Sequence, residues 1–174
     1  MPTDQFDKRA VSSDSEGPAI APDEDFCGWL VHQASLLRSG NYAELDSVSL
    51  AEELEAMAAS ERRKVVSLLR VVLVHLLKWH YSKIRRSESS WQVSLATERT
   101  DVMDVLEASR TLRNELPLLL AKAYGSARFI AGTEMRLTKR NWQRLFPDIC
   151  PWTESQVLDE DFFPEIAPGA NGRS

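Results

Sequence analysis

The chain is short of most residues that carry recognisable chemistry. Its 174 residues hold two cysteines, Cys27 and Cys150, far apart and outside any CxxC pair. So few exclude a disulfide framework and read as reduced thiols of a cytoplasmic protein. The three histidines, His32, His75 and His80, form no HxxH, HxxxH or HExxH, and no acidic residue stands three or four positions from any of them. His75 and His80 point about 140° apart on a helix. A metal held from one helix face is excluded, and only a site assembled across helices would serve. The seven glycines include no GxGxxG and no GxxxxGK followed by Ser or Thr, and no serine sits in GxSxG. Nucleotide use and hydrolase-type acyl transfer therefore have no sequence support, and no cofactor is expected. No segment alternates apolar and polar over a strand's length. The longest apolar region, 65–79, is broken by Arg70, His75 and Lys78, too short and too charged to span a bilayer. The first eighteen residues, MPTDQFDKRAVSSDSEGP, lack a signal-peptide core. A net charge of −5 weighs against a general nucleic-acid binder.

What the chain does have is helical periodicity. Residues 1–22 read as a disordered leader, 23–164 as one helical domain, and 165–174 as a flexible tail. A first helix is expected to start near Asp23, bury Phe26, Trp29, Leu30, Gln33, Leu36 and Leu37, and stop at Gly40. Cys27 on that helix reads as a buried, inert thiol. A second region opens with the capping-box pattern Ser49-Leu-Ala-Glu52. Its apolar stripe runs Leu50, Leu54, Met57, Val65, Leu68, Val72, Leu76 and Trp79. Glu61 interrupts that stripe, which favours a break or bend near Ser60.

Ser87 to Ser90 offer caps for a third helix. A link through Thr111 and Leu112 leads to a fourth helix near Asn114, with Pro117 in its first turn. Gly125 and Gly132 within that helix imply close packing against neighbours. A short helix is expected over 140–145, and Thr153-Glu-Ser-Gln156 is a second capping box. The sum is an all-α, antiparallel (up-and-down) bundle of about four main helices with short extra helices near the C-terminus.

The ordered series Phe26 to Leu37, Ser49 to Glu55, Ser60-Glu-Arg-Arg63 and His75-Leu-Leu-Lys-Trp79 continues with Arg85-Arg86-Ser87 and Trp91. Phe146 to Trp152 and Gln156 to Phe162 complete it. Over residues 25–164 this resembles the bacterial family called domain of unknown function twenty-nine. His80 replaces the glutamine usual there, and 132–145 differ from the shorter link expected. The resemblance implies an all-helical bacterial protein and supplies no reaction.

Between Glu61 and Glu88 the chain carries eight Lys and Arg and no carboxylate. The cluster Lys78, Trp79, His80, Tyr81, Lys83, Arg85, Arg86 and Trp91 is the leading candidate binding surface, suited to an acidic protein or to phosphates. Its bland counterpart is a solvated helix end whose cations complement the dipole. The acidic, aromatic stretch Asp159 to Phe163 is placed to wrap over that end or to meet another protein. Glu61 and His75 form a candidate buried polar cluster, the one named site for an enzyme or a metal-dependent pocket, since a buried carboxylate requires a partner. The expected function is protein interaction, with an unidentified protein partner favoured, a homodimer open, nucleic acid disfavoured and no membrane.

Overall fold

The computed structural model describes residues 21–82 and 88–168. It is an all-α helical bundle. Among the described residues it has six helices and one 3-10 turn: α1 (Phe26–Ser39), the turn Tyr42–Glu44, α2 (Ser47–Tyr81), α3 (Glu88–Ala108), α4 (Arg110–Glu134), α5 (Lys139–Leu145) and α6 (Glu154–Leu158). Packing divides the chain into two compact units, one ending at Glu55 and one beginning at Ala56, with the boundary inside α2.

In the first unit α1 starts later than expected. Asp25 is its cap, accepting from the Gly28 amide at 2.9 Å, so Asp23 and Glu24 precede the helix. Gly40 closes it at φ 76°, a left-handed conformation open to glycine without a side-chain penalty. Trp29, Gln33 and Leu36 are buried, whereas Phe26, Leu30 and Leu37 are largely exposed and so is Cys27. The face of α1 is narrower than its hydrophobic pattern suggested, and the buried thiol is corrected. The buried Gln33 accepts from the Asp46 amide at 2.9 Å through Oε1. Asp46 in turn accepts from the Ser49 amide at 3.1 Å. The helix therefore opens three residues before the Ser49 box, on a different cap. Ser49's hydrogen bonds are the main reason the Asp46 carboxyl lies below its ordinary range, with a smaller contribution from Trp29. Asp46→Ala is expected to lower the urea midpoint, since the Ser49 amide loses its cap.

α2 is one helix of 35 residues through Ser60, so of the break or bend expected there the break does not occur. The change along it is in burial. No residue from Ser47 to Lys64 is buried, and Leu54 and Met57 are 59% and 65% exposed. From Val65 onward Leu69, Val72, Leu73, Val74, Leu76 and Leu77 enter the core of the second unit. Leu95, Val102 and Leu106 of α3 join them, with Leu112 to Ala131 of α4 and then Phe146, Trp152 and Val157.

Ser109 alone joins α3 to α4, its hydroxyl accepting from the Leu112 amide at 3.3 Å. Thr111 and Leu112 are already helical, and Pro117 falls well inside α4 on its exposed side. There it removes one ladder bond, a loss that the flanking buried Leu116, Leu119 and Leu120 offset. Gly132 is buried against Trp142, while nothing lies near the open side of Gly125. Close packing thus explains one glycine and not the other. α5 follows a Thr138 cap, and α6 starts on the complete Thr153–Gln156 capping box.

Candidate functional site

The last turn of α2 presents Lys78, His80 and Tyr81. Lys83, Arg85 and Arg86, the rest of that candidate surface, lie outside the described residues. Lys78 is engaged at both ends of its reach. Its Nζ donates to Glu134 of α4 at 2.6 Å and sits 4.9 Å from the centre of the Trp91 ring. Tyr81 packs on Phe146 at 5.2 Å between ring centres. The His80 ring meets Tyr81 and Trp152 edge-on. Its Nδ1 contacts the Glu165 carbonyl, and since a carbonyl only accepts, that nitrogen carries the hydrogen. The Ala167 amide donates back to the His80 carbonyl at 2.9 Å.

These last contacts belong to a strap, residues 159–168, that lies across the end of α2. Phe163 packs on Trp79 with ring centres 4.7 Å apart, and Pro164 is buried. The strap's other anchor is Arg99 of α3. This side chain is 1% exposed. Its Nε donates to the Val157 carbonyl at 2.9 Å, and its two terminal nitrogens donate to Glu160 O at 3.2 Å and Phe162 O at 2.9 Å. Phe163 lies 5.8 Å from the guanidinium carbon. Burial lowers the Arg99 pKa, with the nearby Asp159 and Glu160 charges opposing that shift. The guanidinium works here as a fork that collects main-chain carbonyls from the last turn of α6 and just past it.

The sequence reading did not single out Arg99. The signal was present, because Trp91, Leu95, Arg99, Val102 and Leu106 recur at spacings of four, four, three and four, all buried. An arginine on such a stripe needs acceptors, and only the tertiary structure says which.

Glu61 and His75 do not form a buried pair. Glu61 is exposed, and His75, fourteen positions on, lies about 21 Å further along α2. Glu61 lines an open groove of about 640 Å³ with Arg62 and Lys64 of α2, Asp104 and Val105 of α3, and Ser109 and Leu112 at the α4 start. The carboxylate that does find an arginine is Glu115. It takes Arg62 Nε at 2.6 Å and the neighbouring nitrogen at 2.8 Å, a bidentate pair that lowers the Glu115 pKa and raises that of Arg62.

His75 is half-buried, and its Nδ1 is buried without a protein hydrogen-bond partner. Burial lowers its pKa, Lys78 adds to the shift and Glu134 opposes it. The unfolded chain therefore takes up this proton near pH 6.5, before the folded chain does. Stability is expected to fall as pH drops below 6.5 through the lower folded value. Urea midpoints measured above and below pH 6.5 check this, and His75→Gln should flatten the slope.

Cys150 is half-buried, and burial raises its pKa, which disfavours the thiolate. Burial likewise raises the pKa of Tyr124, whose hydroxyl donates to the Pro147 carbonyl at 2.9 Å. Among the described residues no group of three or more His, Cys, Asp or Glu could hold a metal ion, and no helix is long and apolar enough to cross a membrane.

Neither a curated protein nor a solved structure matches the chain. A family match covers residues 23–163, from just before α1 to the strap's Phe163. By that match the chain belongs to the family described as Domain of unknown function DUF29.

Proposed function

We propose that this protein is a non-catalytic interaction module of the bacterial cytoplasm whose partner is a protein. The observation that carries the reading is the outer half of α2. From Ser47 to Lys64 no residue is buried, yet Leu50, Leu54 and Met57 keep a helical apolar stripe. A helix that keeps Leu54 and Met57 in water, with Leu50 half-buried, has the amphipathic form in which helices bind partners. The acidic net charge favours a protein over nucleic acid. The basic, aromatic end of α2 is the second surface for such a partner. Its Trp79 and His80 are already engaged by the strap, so the outer half of the helix is the better of the two.

The tagged 174-residue chain, used to capture untagged protein including copies of itself, tests this reading. Leu54→Ser with Met57→Ser runs beside alanine at Lys83, Arg85 and Arg86. Loss of a stoichiometric partner in the first variant supports the outer helix. Loss in the second alone moves the interface to the basic end. Capture of nothing, the chain itself included, overturns the interaction reading.

A further inference from the structure

We infer that the outer half of α2 pairs with the same segment of a second copy, antiparallel and in one register. The inference rests on the interaction reading above and names its partner. Leu50, Leu54, Met57 and Glu61 recur at spacings of four, three and four, the seam spacing of two paired helices. The charges of the segment are divided along its length. Glu52, Glu53 and Glu55 occupy the N-terminal part, and Arg62, Arg63 and Lys64 the C-terminal part. A parallel pair would set like charges beside like. An antiparallel pair sets each acidic part beside a basic one.

One pair of charges fixes the register. Glu53 and Lys64 are eleven residues apart, about three full turns, and so share one flank of the stripe. A two-fold axis between Ala58 and Ala59 places each Glu53 beside the partner's Lys64, and symmetry makes that contact twice. Met57 from each copy meets near the axis, and Leu54 covers the aliphatic stems of the partner's Glu61 and Lys64. Arg62 is committed to Glu115 within its own chain and takes no part.

Sedimentation of the 174-residue chain over a concentration series, with circular dichroism to confirm folding, tests the pairing. The unaltered chain should dimerise reversibly, and Leu54→Ser with Met57→Ser should leave it monomeric. Glu53→Lys alone or Lys64→Glu alone should weaken the dimer about tenfold or more, because each change turns two attractions into repulsions. Mixing the two single variants should restore a dimer made of one of each. Combining both changes in one chain should restore the homodimer. A parallel pair would not weaken on either single change. A monomer at every concentration, or a dimer indifferent to all these changes, overturns the inference. If the chain is monomeric but still captures another protein through Leu54 and Met57, self-pairing fails and the interaction reading survives.

Discussion

Arg99→Met should lower the stability of the protein by about 3 kcal/mol, measured from urea unfolding, and should free the strap. Replacing a buried ion pair with apolar side chains is often neutral, because both charges go together. Here the partners are carbonyls of Val157, Glu160 and Phe162, and no substitution removes them. Methionine fills much of the volume and donates nothing, so three acceptors lose a shared donor. Hydrogen exchange supplies the second readout. The Ala167 amide, bonded to the His80 carbonyl, should exchange faster in the variant at unchanged protection of α4. A variant as stable as the parent, with Ala167 still protected, would show that the strap is held by Phe163 and the capping of α6 and not by the guanidinium.

Two identical substitutions on one helix should move stability in opposite directions. At Gly132 a new Cβ would lie 2.6 Å from Trp142 Cγ, closer than two carbons can approach. Trp142 is confined by Phe129, 6.4 Å away between ring centres, and by Arg128 at 5.5 Å from its ring. Gly132→Ala is expected to cost about 1–3 kcal/mol through forced repacking. At Gly125 the added methyl meets nothing within 4 Å, and the helix gains the propensity difference of about 0.5–1 kcal/mol. Melting curves of the two variants decide it. Equal effects at both sites would mean that Trp142 yields freely and that the glycine is not there for it.

Features governed by a few adjacent residues were legible in the sequence. Gly40 as a left-handed stop and Thr153–Gln156 as a capping box each involve bonds within a turn or two, and both stand in the structure. Errors arose where two local signals competed. Asp46 and Ser49 can both cap a helix, and the choice falls to Asp46 because Gln33 holds its amide from another helix. The fourth helix, expected near Asn114 after a link through Thr111 and Leu112, starts instead at Arg110 on a Ser109 cap. A proline fits best in a first turn, which suits the later start, yet Pro117 lies well inside α4 and the buried Leu112 belongs to that helix. The expectation of a break or bend near Ser60 rests on Glu61 within an apolar stripe. A helix whose outer stripe faces water has no reason to break there.

The site was less legible because its partners are distant in sequence. The Lys78–Glu134 and Arg99–Phe162 contacts span 56 and 63 residues. Periodicity finds which residues leave the solvent, and it is silent on what they meet.

The Arg99 fork also imposes an order on biosynthesis. All three of its acceptors lie in residues 157–162, made long after α3. A nascent chain that has already produced α2, α3 and α4 must still keep its central arginine wet. Tight closure around Val102 and Leu95 has to wait until Phe162 has emerged. A ribosome stalled upstream of that point would therefore display a loose, protease-sensitive bundle, and the arrival of six residues would lock it.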